Sequence, residues 1–460
     1  MSLSSRLIDA LARVGDRLPQ GVQEAARLHL LDAIGVGLAA AASEAGRAYV
    51  RYAAGLAAGP ASLLCGGSAG LADAAMINGG LIHSLEFDDT HTGSIVHGSA
   101  VLASTALACA QAEAARGADL LGAYAAGWEM LVRIGLAAPG KFQARGFQVT
   151  SVGGALAAAL IAARLLRLDK TQTVHAIGIA LSQASGVFEF LSNGSTVKSL
   201  HPGWAAQAGV TAARLAACGM TGPETAIEGR FGLFACFADD PAAAARFEAS
   251  LQHLGEVWHL ADAALKFSPC CHYLHPFIEA ASALRRRGLR VETIEDVLCL
   301  VPAGAAGVIC EPWKLKQAPP TPHAARWSLP VVTAAALVDD TVDLGTFELS
   351  FSPEVLALAA RTRWEVMPDA AFPDRFQAEL IVRQRDGSVE RASVDDAFGN
   401  ASRPASADAV RAKFRANAGR AGAPADAIAA AVEALGGPGA DDLGALSSAL
   451  AQVQRKGASG

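Results

Sequence analysis

Residues 149–166, VTSVGGALAAALIAARLL, carry no charge before Arg164 and present small or branched apolar side chains on every face. A helix that is apolar all round is either buried in a large protein or spans a bilayer. The same choice arises at residues 92–112, which have no formal charge apart from a titratable His97. Both stretches contain Gly, Ser and Thr, and both end at charges with no basic excess on one side. They read as core helices of a soluble protein, and no membrane partner is expected. The wider composition agrees: 52% of the chain is hydrophobic, 18% is charged, and 46 residues are glycine. Small side chains let helix backbones approach closely.

At 460 residues the chain is too long for one ordinary core, so two domains are expected. Helical spacing runs from Ser4 to about Ala263. It predicts helices at 23–42, 69–87, 99–116, 120–135, 151–166, 170–191, 203–218 and 242–251, with a short strand at 61–65. The texture changes after Lys266. Residues 291–302, 306–310, 363–367, 375–384 and 388–394 read as strands, the last two joined by the Asp386-Gly387 turn. Helices are expected at 276–287 and 329–339. Beyond Ser402 the pattern returns to helices at 406–418, 424–435 and 442–453, expected to pack back on the first domain. The final KGASG reads as disordered. The resulting fold class is mainly α: an all-helical domain at 1–265, a smaller α+β domain at 266–400, and C-terminal helices at 401–460 returning to the first.

The net charge of -6 and the lack of a long basic run exclude nucleic acid as a partner. The eight cysteines form no CxxC pair and no framework spacing, which suits reduced thiols in the cytoplasm. The opening MSLSSRLIDALARVGDRLP alternates Arg and Asp without an apolar core, so no signal peptide is expected.

Against this background, residues 83–101, HSLEFDDTHTGSIVHGSAV, gather three acids and three histidines. Buried ionisable groups are costly unless paired, so such a cluster points to chemistry. Glu86, Asp88, Asp89, Thr90, His91 and His97 are its candidates. A second group is Lys198 and His201, in an acid-free stretch between Glu189 and Glu224 just before a helix predicted from Gly203. A lysine, a histidine and a helix N-terminus together can hold a carboxylate. The third is KFSPCCHYLH, from Lys266 to His275, at the change of texture. The three groups are expected to converge on one pocket between the domains.

Familiar signatures are weak or absent. Gly66-Gly67-Ser68-Ala69-Gly70 matches the GxSxG nucleophile elbow formally, but no alternating parallel sheet surrounds it, so it reads as a glycine turn into a helix. A metal could be held by His83, Asp88, Asp89 and His91, or by Cys270, Cys271, His272 and His275, which would make a metal-dependent hydrolase. Neither set has good ligand spacing, and no metal or other cofactor is expected.

The motifs NGGLIHSLEFDDTH with VHGSA, GFQVTSVGGALAAALIAARLLRLDKTQTVHAIGIALSQASG, GSTVKSLHPGWAAQAGVTAARLAACGMTG, LKFSPCCHYLHPFIEAA and AARWSLP follow one another in an order that resembles the MmgE/PrpD family. Its members include 2-methylcitrate dehydratase, cis-aconitate decarboxylase and iminodisuccinate epimerase. The resemblance implies a large helical domain completed by the C-terminal segment, a smaller α+β lid, a homodimer and no cofactor. It places Thr90, His97, Lys198 and Lys266 on positions lining the family's active site, with His275 in the same lid-side motif. The decarboxylase has Asp where this chain has Glu86, His where it has Gln148, and His where it has Cys271.

The shared reaction step makes or breaks a bond at carbon next to a carboxylate, which needs an acid or base there and cations on the carboxylates. The chain is therefore expected to be a lyase or isomerase acting on a small anionic di- or tricarboxylate. A 2-methylcitrate-dehydratase-like hydro-lyase is the first reading; an iminodisuccinate-type epimerase or a cis-aconitate-type decarboxylase is the alternative. His97, Lys198, Glu86 and Thr90 are the expected catalytic residues, and Lys266, His201, His275, Gln148 and Asp89 the expected substrate-binding ones.

Overall fold

The structure, a computed structural model, describes residues 1–15, 17–348, 350–437 and 443–454. It divides into two compact units. One takes in residues 1–84, 88–263 and the chain from Ser406 onward; the other takes in 85–87 and 264–405.

The first unit is helical. Its central helices are Gln20–Ala41, Leu71–His83, Gly98–Ala112, Gly117–Ala137, Val149–Leu165 and Leu200–Ala217. Every residue of Val149–Leu165 except Arg164 is buried, because neighbouring helices cover all of its faces. Gly117–Ala137 is long and apolar enough to cross a membrane, yet 89% of its apolar window is buried within the protein, as befits a core helix. Small residues set the spacing. A Cβ added at Gly79 would stand 2.8 Å from the Ala100 carbonyl oxygen and 2.9 Å from the Gly203 Cα. Three helices therefore meet backbone to backbone at that point.

Asp169 starts the Lys170–Leu181 helix with a capping box: its carboxylate accepts from Gln172 N at 2.8 Å while its own N–H donates to Gln172 Oε1 at 3.1 Å. The helix stops at Leu181 and not at Leu191 as its apolar spacing suggested. Turns at Ser182–Ala184 lead to Gly186, whose φ of 114° no helix tolerates. The Gly66-Gly67 pair, at φ 88° and 78°, folds back β1 (Ala61–Ser62) against β2 (Ser68–Ala69) and delivers the chain to the Leu71–His83 helix. It is a hairpin return, not a nucleophile elbow. Ser406 caps Ala407–Ala421, which packs on Gln20–Ala41 within this unit. Ala425–Ala434 and Gly444–Ala451 follow. Asp442 and the KGASG tail lie outside the described residues.

The second unit holds a four-stranded sheet in the order β4-β3-β5-β6, with β3 at Ile294–Val301, β4 at Thr362–Val366, β5 at Ala378–Gln384 and β6 at Val389–Val394. β3 and β4 are parallel; the other pairs are antiparallel. The β5–β6 hairpin turns at Asp386-Gly387, with Gly387 at φ 86° and Asp386 accepting from Ser388 N at 2.9 Å. His275–Arg286 and Leu329–Asp339 pack on the sheet. The strand expected at 306–310 is instead the end of a helix, Ala303–Ile309. Pro302 precedes it and five of its seven residues are Ala or Gly; a short apolar run does not by itself separate strand from helix.

Candidate active site

The Leu71–His83 helix ends in a histidine whose Nδ1 donates to Asp88 Oδ2 at 2.8 Å, both groups fully buried. Glu86 between them adopts φ 52°, a left-handed conformation rare for a side chain with a Cβ. Residues 91–96 then close a tight loop, His91 N donating to Val96 O at 2.9 Å, which returns the chain to His97 at the N-cap of Gly98–Ala112. His97 Nδ1 lies 3.2 Å from the Asp89 carbonyl oxygen and 3.0 Å from Thr90 Oγ1. A carbonyl only accepts, so Nδ1 carries the proton and the basic lone pair of the neutral ring falls on Nε2. The His83 and His97 rings are 4.9 Å apart.

The second group joins the first through adjacent residues of one helix. Thr150 Oγ1 accepts from His97 N at 3.0 Å, and Ser151 Oγ donates to the His201 carbonyl at 3.0 Å. Lys198 sits in the Thr196–Ser199 turn, 7% exposed, and His201 lies in the first turn of Leu200–Ala217, a helix that begins three residues earlier than its spacing suggested. His201 Nδ1 donates to Gln148 Oε1 at 2.6 Å. Burial, then the nearby charges of His83 and Lys198, lower the His201 pKa to about 4, so it is a neutral imidazole at pH 7. Thr90, His97, Gln148, Lys198 and His201 thus belong to one connected region of the helical unit.

Asp89, expected to meet substrate, is 1% exposed and spends its carboxylate inside the protein. His29 Nδ1 donates to Oδ2 at 2.6 Å, Ser99 N donates to Oδ1 at 3.0 Å, and Ser99 Oγ also donates to it. It shapes the segment that carries Thr90 and His97.

The third group lies in the second unit. Lys266 is fully buried, and its Nζ donates to the Glu86 carbonyl at 3.1 Å. Arg326 donates to the Leu85 carbonyl at 2.8 Å and to the Pro269 carbonyl, with its guanidinium 4.6 Å over the Phe347 ring. Burial lowers its pKa to about 10, against the opposing charge of Glu86. Two buried cations therefore hold the backbone at Leu85-Glu86. His275 starts the His275–Arg286 helix with its ring 4.8 Å from that of His272. Cys270 and Cys271 are buried, and burial raises the Cys270 thiol well above its ordinary value.

Two features escaped the list read from sequence. His83 and Asp88 stood in the opening cluster, but nothing in their spacing distinguished a hydrogen-bonded pair behind His97. Arg326 lies in the AARWSLP motif, where a lone arginine gives no sign of its target. The potential metal donors also differ from both expected sets: His83, Asp88 and His97 each bring one donor atom within 4.8 Å of the others.

Burial also fixes a response to acid. His91 is lowered to about 3 by burial and then His259, and His259 to about 4 by burial and then Arg133. With His201 these rings bind fewer protons when folded than when unfolded, so stability is lost as pH falls from about 6.5 through 4. Glu129, raised to about 7 by burial, opposes them, since its folded form holds a proton more readily. Asp32, Asp262 and Asp339, also raised by burial, act in the same direction as Glu129 but from a lower ordinary value, so the histidines set the sign: the melting temperature should fall between pH 7 and pH 4, and His91→Gln should flatten the slope. A melting temperature constant over that range would contradict the assignment.

Residues 12–245 match the MmgE/PrpD N-terminal domain and residues 268–436 the MmgE/PrpD C-terminal domain. The cis-aconitate decarboxylase of Mus musculus is 28% identical over 425 residues, covering 88% of this chain and 84% of its own. That of Homo sapiens is 30% identical over 362 residues, covering 75% and 72%. The cis-aconitate decarboxylase of Aspergillus terreus is 30% identical over 223 residues, covering 46% and 45%.

Proposed function

This chain belongs to the MmgE/PrpD family, and from that premise we propose that it is a cofactor-independent lyase that removes CO2 from a small tricarboxylate of the cis-aconitate type. The observation that carries the reading is the decarboxylase likeness across most of the chain, together with a buried Lys198–His201–Gln148 group tied to the Thr90–His97 pair.

Lys198 holds a substrate carboxylate. The C–CO2 bond breaks, and its electron pair is taken up through the neighbouring double bond onto the carbon chain. A proton from Nε2 of the His97 imidazolium then goes to the carbanionic carbon. The Asp89 carbonyl and Thr90 hold Nδ1 of that ring throughout, so the same nitrogen always faces the reaction. His97 regains its proton from water.

A hydro-lyase of the 2-methylcitrate dehydratase type is the second reading. It is favoured by Gln148, a neutral amide on His201 Nδ1 where the resembling decarboxylase has a titratable imidazole. Incubating the protein in D2O with cis-aconitate, methylcitrate, citrate and aminodicarboxylates, followed by NMR, separates the readings. Loss of CO2 with deuterium in the product supports the first. Interconversion of hydroxy acid and alkene supports the second, and deuterium with inversion alone an epimerase. No exchange into any of these acids defeats the proposal.

Removing metal should not matter. His83 Nδ1 and Asp88 Oδ2 bond each other and His97 Nδ1 faces Asp89 and Thr90, so these side chains are held in place by protein partners without an ion. Activity is expected to survive prolonged EDTA treatment. Loss of activity restored by stoichiometric zinc or iron would instead favour the metal-dependent hydrolase.

A further inference from the structure

We infer that Lys413, on the C-terminal Ala407–Ala421 helix, is a positioning residue for His97: it neutralises Asp32 so that His29 serves Asp89 alone. The inference rests on the reading of His97 as the proton-transfer residue. The groups form a chain through the core of the helical unit. Lys413 Nζ lies 2.8 Å from Asp32 Oδ1 and 3.0 Å from Oδ2. Asp32 and His29 are three residues apart on Gln20–Ala41, so both project from the same face. His29 donates to Asp89 at 2.6 Å, Asp89 is also held by Ser99, and Ser99 Oγ bonds the Tyr124 hydroxyl at 2.5 Å. The Asp89 carbonyl in turn holds His97 Nδ1.

Every charged or titratable member is buried: His29, Asp32, Asp89 and Lys413 are at most 8% exposed, and Tyr124 is sealed. The Trp128 ring packs edge-on against His29, 5.8 Å away. Asp32 feels Lys413, Asp89 and His29, with burial itself raising its pKa. Two carboxylates and one imidazole on adjoining elements have a competing arrangement, in which His29 turns its proton toward Asp32 and Asp89 loses its partner. The Lys413 ammonium removes that competition by satisfying Asp32 from the other side. Nothing about folding alone requires a lysine here, since an apolar pair of similar volume fills such a core as well.

The test compares single and double variants on the full chain. Lys413→Met leaves Asp32 to compete for His29; turnover should fall about tenfold with KM nearly unchanged, and Lys413→Arg should restore it. Asp32→Asn/Lys413→Gln removes both charges, so His29 stays with Asp89 and turnover should recover. A double variant as slow as Lys413→Met, or Lys413→Met with full turnover, overturns the inference. Imidazole titrations of 15N-histidine-labelled protein give a readout independent of substrate. The His97 resonances should shift in Lys413→Met and return in the double variant, whereas unshifted His97 resonances in a folded Lys413→Met protein also overturn it. If the wild-type protein exchanges deuterium into none of the acids, the functional reading fails, and these titrations still decide the network.

Discussion

Replacing His97 with alanine is expected to lower turnover by roughly 10²- to 10⁴-fold, the usual cost of losing a positioned acid-base group. KM should change little, because in the proposed mechanism the ring moves a proton while Lys198 holds the substrate. The expectation rests on geometry as much as on residue type. The Asp89 carbonyl and Thr90 fix Nδ1, the N-cap position fixes the backbone, and Thr150 fixes the backbone N–H. Steady-state kinetics on the acid identified by deuterium exchange checks it, with a melting curve to confirm folding. Wild-type turnover would remove His97 from the mechanism and make Lys198 or Glu86 the candidate base.

Lys198→Ala should act on binding instead. A hydrogen bond to a charged group is worth about 1.5–3 kcal/mol, which corresponds to a rise in KM of roughly 10- to 150-fold, with a smaller loss of turnover. Because Lys198 also helps to hold the His201 pKa down, the variant should raise it, and the His201 imidazole titration gives a second readout. A collapse in turnover at unchanged KM would instead mean that Lys198 itself moves the proton.

The class of fold was legible because buried helices leave a continuous apolar signature: Val149–Leu165 and Leu329–Asp339 stand almost where their spacing put them. Errors fell where a local rule was outvoted. Apolar spacing continued past Leu181 although Gly186 had already turned the chain, and the Ala306–Cys310 run was short enough to suit strand or helix. For the site, residue types located the clusters, but not who bonds whom. Asp89 and His97 are eight residues apart and look equally chemical; only the fold shows the first turned inward to His29 and Ser99 and the second bonded to Thr90. The Lys413–Asp32 pair, 381 residues apart in sequence, left no local trace at all.

The backbone meeting of Gly79, Ala100 and Gly203 has an evolutionary consequence. Gly79 lies four residues before His83, Ala100 three after His97, and Gly203 two after His201. Main-chain atoms in contact at this crossing set the spans among the three imidazoles, so no exchange of larger for smaller side chains there can stretch or shrink them. Divergence in such a scaffold is therefore expected at positions that face the imidazoles, as Gln148 does, and not at the crossing itself. New chemistries can be tried on it without the imidazoles ever having to be re-spaced.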